Sequence, residues 1–199
     1  MNDAFPPLWF RLPPGFYDIG PDDRPALEGT AALASGLAQL QVAQLLEQLD
    51  SLAQQQVLHT AIGLHPDDTS GLCSSLFSLS CRRTPAGNAQ LAVARIALGI
   101  AKSPLWEEST CRFVDLPLSP SCCLATGTLA LKQLERAVFQ SRAALAHPDG
   151  QHVLIFDLTS ASTEYKEAYT DMLEAIIHTA SFTDPTPIAQ TSRISELLL

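Results

Sequence analysis

Positive charge is scarce in this chain: 12 Lys and Arg stand against 21 Asp and Glu over 199 residues, a formal net charge of −9. The densest basic spot is the pair Arg82-Arg83. A phosphate backbone is held by a continuous basic stripe that releases counterions, and an anionic membrane surface asks for the same sign, so nucleic acid and acidic lipid are poor partners. Long hydrophobic runs are missing as well. No stretch approaches the ~20 apolar residues of a spanning helix. The opening "MNDAFPPLWF" has prolines and no basic residue where a secretory signal would place a charged start and an unbroken apolar segment. The expectation is a cytoplasmic protein without membrane insertion.

Signatures of catalysis are absent too. There is no Gly-x-Ser-x-Gly elbow, and "GLHPDDTSG" has neither the spacing nor the lysine of a phosphate cradle. Neither Cys-x-x-Cys nor His-x-x-x-His occurs, which removes the tight ligand spacing of a zinc site. Asp115, Asp157, Glu135 and Glu164 are not spaced as an acid and base pair. The five cysteines, Cys73, Cys81, Cys111, Cys122 and Cys123, are odd in number and scattered, which suits reduced thiols better than a disulfide framework. Cys122 and Cys123 are neighbours, so on a strand they face opposite sides, and both read as buried, inert thiols. No catalytic residue, metal ligand set or cofactor follows from these patterns.

What is present is a folding chain: 46% of residues are apolar and only 17% charged, enough to bury a core without staples. Residues 1–183 read as one domain and 184–199 as a tail. "LWFRL" and "FYDI" are β-prone and are separated by Pro13-Pro14-Gly15, predicting an edge strand or strand pair. Residues 26–56 are rich in helix formers. Leu45, Leu49 and Leu52 lie on one face of that stretch and Leu33, Leu37 and Leu40 on roughly the opposite one, so either the helix breaks near Leu40 or it is apolar on two sides and has a surplus face to cover. Strands are predicted over 57–66 and 71–83. The stretch 88–103 reads as a helix capped by Asn88, although a hairpin strand is also compatible with the turn before it. "CRFVDLPL" and "SCCLATGTLAL" read as two short strands. "AVFQSRAALA" and "HVLIFDLTS" form a hairpin about the turn His147-Pro148-Asp149-Gly150, with Val153 to Phe156 continuous enough for a central strand. The last helix places Tyr165, Tyr169, Met172, Leu173, Ile176 and Ile177 on one face, with Ser160 or Ser162 as its cap.

Several residues stand out as candidates. His147 and His152 flank the turn with Asp149 beside them, two-thirds of a metal site, against the plainer reading of two exposed turn histidines. His59 and His65 share a strand face. For binding a partner, Trp9, Phe10 and Phe16, with Tyr17, concentrate on the terminal strand, where they either meet another protein or plug one end of the core. Trp106, just after Pro104 in a polar loop, is the expected exposed aromatic. Leu197 and Leu198, with Ile194, make an apolar hook at the end of the tail.

The order of these elements, with "PPGF" at residues 13–16 and the strand, small-residue cap and helix from Leu154 to Phe182, resembles the PsbP-like α/β sandwich domains, in particular their actinobacterial LpqN-type branch. The resemblance implies an α+β fold, an antiparallel β-sheet flanked by helices, and a non-catalytic role in binding other proteins. The expectation is an accessory, immunity or chaperone-type factor for a secreted or toxic protein partner, with an acidic surface suited to a basic one. A ligand-binding or hydrolytic enzyme with a site gathered around His147, His152 and Asp157 is the alternative. A homodimer on the surplus helix face is a third reading.

Overall fold

The computed structural model describes residues 7–20, 23, 25, 28–29, 57–67, 71–84, 88–117, 121–131 and 136–183. The helix expected over 26–56, apart from residues 28 and 29, and the tail with Leu197 and Leu198 lie outside the described residues. Seven strands form one sheet: β1 (Phe16–Asp18), β2 (Val57–Asp67), β3 (Gly71–Arg83), β4 (Trp106–Val114), β5 (Cys122–Leu131), β6 (Arg136–Ala146) and β7 (His152–Ser160). Their spatial order is β1-β2-β3-β7-β6-β5-β4, and every pairing is antiparallel. Two helices among the described residues, α1 (Ala89–Ala101) and α2 (Lys166–His178), cover opposite faces of the sheet. The fold is therefore α+β, as the sequence predicts. None of the described helices is long and apolar enough to cross a membrane.

β7 occupies the middle of the sheet because both of its faces are apolar. Leu154, Phe156 and Leu158 point toward Tyr169, Leu173, Ile176 and Ile177 of α2. Val153 and Ile155 point the other way, toward Ala89, Val93 and Ala97 of α1. A strand covered on both sides reads as a continuous hydrophobic run, which is what "VLIF" is. Neither expected serine caps α2. The chain enters it through a 3-10 turn, Thr163–Tyr165, and Ser160 Oγ instead accepts from the Ser162 N–H (3.1 Å) while donating to the Ser74 carbonyl (2.8 Å).

β1 is an edge strand, as expected. Gly15 makes its approach possible: its φ is +93°, and a Cβ there would lie 2.9 Å from the Leu64 carbonyl oxygen, which only glycine avoids. "LWFRL" does not pair with "FYDI". Trp9 instead exchanges two 2.8 Å backbone hydrogen bonds with Ser181, fastening the chain's start to the end of α2. β4 begins at Trp106, five residues ahead of the predicted strand, so Trp106 is not in a loop. Trp106 and Glu107 pair with Leu129 and Thr128, and a bulge between Glu107 and Thr110 absorbs the polar "EES" run, with Glu108 at φ 50°.

Candidate interaction surface

Helix α1 has two polar residues, Gln90 and Arg95, among its 13. A helix apolar all round asks for cover on all sides. Asn88 starts it by accepting the Leu91 N–H (2.9 Å), and Ala89, Val93, Ala97 and Ile100 are buried on the sheet side. On the opposite side Leu91, Ala94, Leu98 and Ala101 recur at three- and four-residue spacing and are all exposed. Leu98 is 53% exposed, and Leu105, just past the helix, 67%. Phe113, 64% exposed, stands on the same face at the free edge strand β4, paired in register with Cys123, against which α1 packs. One exposed leucine is ordinary, but a row of apolar side chains ending at a strand edge with no neighbouring strand among the described residues is a candidate interaction surface. Its polar flank is Arg95 and Lys102, both exposed, so the patch is locally basic on an acidic molecule.

The aromatics singled out from the sequence lie elsewhere. Phe10 is half-buried against Phe77 and Phe156, with ring centroids at 5.6 and 5.7 Å, and Phe16 packs on His65 at 5.4 Å. Both therefore close one end of the α2-side core. Trp9 is half-buried beside Ser181. Trp106, expected to be exposed, is half-buried across Gly127, where a Cβ would come within 2.8 Å of the indole. Of the terminal aromatics only Tyr17 is exposed, on β1; the other large open apolar side chains include residues the sequence reading passed over, Leu91, Leu98, Leu105 and Phe113. The signal for them was the near absence of polar residues in α1.

The turn histidines do come together. His152 Nδ1 lies 2.6 Å from Asp149 Oδ2 and His147 Nδ1 3.1 Å from the same oxygen. His147 is not exposed: only 7% of it meets solvent, its ring is edge-on to Phe182 at 4.7 Å, and its Nε2 meets no hydrogen-bond partner among the described residues. Burial pushes the Asp149 carboxyl up, but hydrogen bonds from the Gln151 N–H, the His152 ring, the His152 N–H and His147 outweigh it and hold the carboxyl well below the usual range. A depressed folded value means a contribution present above the unfolded carboxylate range and lost as pH falls. Asp149→Asn is thus expected to be less stable than the parent at neutral pH, with the gap closing below about pH 4. Urea unfolding of the two proteins across that range checks it, and a gap that stays constant with pH would sink the assignment.

Asp157 does not join the histidines. It lies five residues further along β7, roughly 16 Å at ~3.3 Å per residue, and its carboxylate is held by Arg142 (Nε to Oδ1 2.6 Å, Nη2 to Oδ2 3.2 Å). His59 and His65 do share a face, but His59 meets Asp18 (3.2 Å) and His65 meets Ser75 (3.2 Å). Among the described residues no group of three or more His, Cys, Asp or Glu is placed to hold a metal ion. Three grooves, of about 310, 220 and 60 Å³, are lined respectively by the Trp9–Ser181 junction, by the β4–α2 cleft around Thr110 and Asp171, and by Leu116, Ile177 and Phe182. None of the three is lined by His147, His152 or Asp157. Cys81 and Cys122 are buried as expected, and burial pushes their thiols up to about 11 and about 12. The Arg112 cation near Cys122 pulls the other way without prevailing.

A sheet of seven antiparallel strands between two helix layers is the feature that comparison with solved structures picks up. The fold is similar to that of LpqN. The crystal structure of LpqN, described as involved in cell envelope biogenesis of Mycobacterium tuberculosis, superposes with a TM-score of 0.55, covering 90% of this chain and 85% of that one. Identity to LpqN is 8%, so the likeness is one of fold. No family model matches the chain, and no curated protein matches its sequence. The resemblance read from the sequence thus narrows to a fold shared with LpqN.

Proposed function

We propose that this protein is a non-catalytic, protein-binding accessory factor that docks its partner on the outer face of α1 and the adjoining edge strand β4. The observation that carries the reading is α1 itself, a helix almost without polar residues whose second apolar face, Leu91 to Leu98, is open to solvent. The LpqN-like fold supports it, since LpqN is described by a role in envelope biogenesis rather than by a reaction. The partner that fits is a protein with an apolar groove or helix and an acidic rim to meet Arg95 and Lys102. This departs from the basic partner expected from net charge, because the residues flanking the patch, Arg95 and Lys102, are positive. The work is that of an assembly, immunity or chaperone-type factor inside the cell, a setting that suits five cysteines free of a structural disulfide.

Site-specific photo-crosslinking tests the reading. A photoreactive residue replacing Leu98 is expected to yield one discrete adduct with another protein in native extract, while the same residue replacing Tyr17, equally exposed on the opposite edge, yields none. Equal labelling from both positions means the helix is no privileged surface. A self-adduct of twice the chain mass would give the face to a second copy and overturn the accessory reading.

A further inference from the structure

We propose that Cys111 and Cys123 form a reversible modification site, a cross-strand disulfide closed by exchange with a low-molecular-weight disulfide such as oxidised glutathione. The two residues are offset by two positions in the β4–β5 ladder, Cys111 facing Ala125 and Phe113 facing Cys123, so they lie diagonally on one face. On the α1 side of the sheet their sulphurs lie 2.9 Å apart. A disulfide bond is about 2.05 Å long, so closing it takes a further approach of about 0.9 Å, shared between side-chain torsions and a shift of the exposed edge strand. Cys122, adjacent in sequence, points through the sheet into the other core, where it packs among the α2-side residues. Geometry therefore selects one partner of two neighbouring thiols.

Access supplies an order of events. Cys111 is exposed on the edge strand, whereas Cys123 is 1% exposed beneath α1, so an oxidant in solution meets Cys111 alone. Burial first, then its hydrogen bond with Cys111, pushes the Cys123 thiol up to about 12, which keeps it protonated while Cys111 is free. In the first step the Cys111 thiolate attacks one sulphur of oxidised glutathione, forming a mixed disulfide and releasing one glutathione thiolate. In the second, Cys123 attacks Cys111 Sγ while its proton passes to the departing glutathione sulphur, releasing the second glutathione as the thiol. The protein has then lost two hydrogen atoms, and one molecule of oxidised glutathione has become two of the reduced form. Excess reduced glutathione reverses both steps. The product ties the free edge strand β4 to β5 beside Phe113.

The test uses the whole folded protein with oxidised glutathione, quenched in acid and mapped under non-reducing conditions. Trypsin places Cys111 in the peptide 103–112 and Cys122 with Cys123 in 113–132. The expected product is the pair of peptides joined, in parent and in Cys122→Ala, and released by reduced glutathione. In Cys123→Ala the linked pair should be lost, leaving Cys111 as a persistent glutathione adduct. Three results would each overturn the proposal: a stable glutathione adduct on Cys111 of the parent protein, a link that survives Cys123→Ala but not Cys122→Ala, or a Cys122-Cys123 bond within one peptide. Fragmenting the joined peptides of the parent assigns the link to Cys123 or Cys122 without a substitution, so a variant that folds poorly leaves the test intact.

Discussion

Arg142→Met is expected to lower the unfolding free energy by about 1.5–3 kcal/mol at neutral pH, the range for hydrogen bonds to a charged group, since the pair is half-buried with Arg142 30% exposed. Asp157 lies in the central strand, directly opposite Arg142 in the β6–β7 register, with 15% of its side chain exposed. Two hydrogen bonds from the guanidinium hold it in fork geometry, and the Trp106 ring lies 6.0 Å from the guanidinium carbon. Methionine keeps much of the aliphatic stem and removes the charge, so the carboxylate is left buried with its desolvation uncompensated. Burial already raises the Asp157 carboxyl above its ordinary value even against Arg142. Without the cation it must rise further. A raised folded value means the native state binds the proton more tightly than the unfolded chain, so stability is lost as pH climbs through the carboxyl range. The deficit of Arg142→Met should therefore be large near pH 7 and shrink toward about pH 4. Adding Asp157→Leu to Arg142→Met should recover most of it, because an apolar pair of similar volume replaces an ion pair at little cost. Urea unfolding of the parent, the single and the double variant measures all three. A single variant within about 1 kcal/mol of the parent, or a double variant no better than the single, would show that the pair is not a buried one in the energetic sense.

This pair also explains why the histidine-centred enzyme reading loses its carboxylate. The continuous apolar run Val153 to Phe156 was enough to make β7 central, and the Pro-Asp-Gly turn was enough to bring His147 and His152 together. Which partner a charged side chain takes depends on the neighbouring strand's register, and that is invisible in one strand's own pattern. The same gap hides Cys111 beside Cys123, which depends on the β4–β5 offset, and the burial of His147, which depends on Phe182 arriving from beyond α2. Trp106 misled for a local reason: Pro104 and three polar residues read as loop, whereas a bulge lets the strand run through them. The N-terminal aromatics carried two readings that composition could not separate. Their ring contacts with Phe77 and Phe156 make Phe10 and Phe16 parts of the core end.

Leu98→Asp should separate binding from folding. The side chain is 53% exposed on the far side of α1 from the sheet, so its loss exposes no core, and the helix pays only the ~0.5 kcal/mol propensity of aspartate. An apolar anchor at the centre of an interface is worth ~2 kcal/mol or more, which is a loss of at least ~30-fold in affinity. Aspartate adds a desolvation cost and removes the local positive bias set by Arg95 and Lys102, so recovery of the partner should fall by that factor while the urea midpoint barely moves. Val93→Asp, one face around and fully buried, should instead unfold the domain, because a charge there has no compensating group. Tyr17→Ser, on the β1 edge, should leave both quantities unchanged. The discriminating result is the ratio between them. If Leu98→Asp and Tyr17→Ser reduce partner recovery equally, the apolar ridge of α1 is surface left over from folding, and the docking site belongs elsewhere on the sheet.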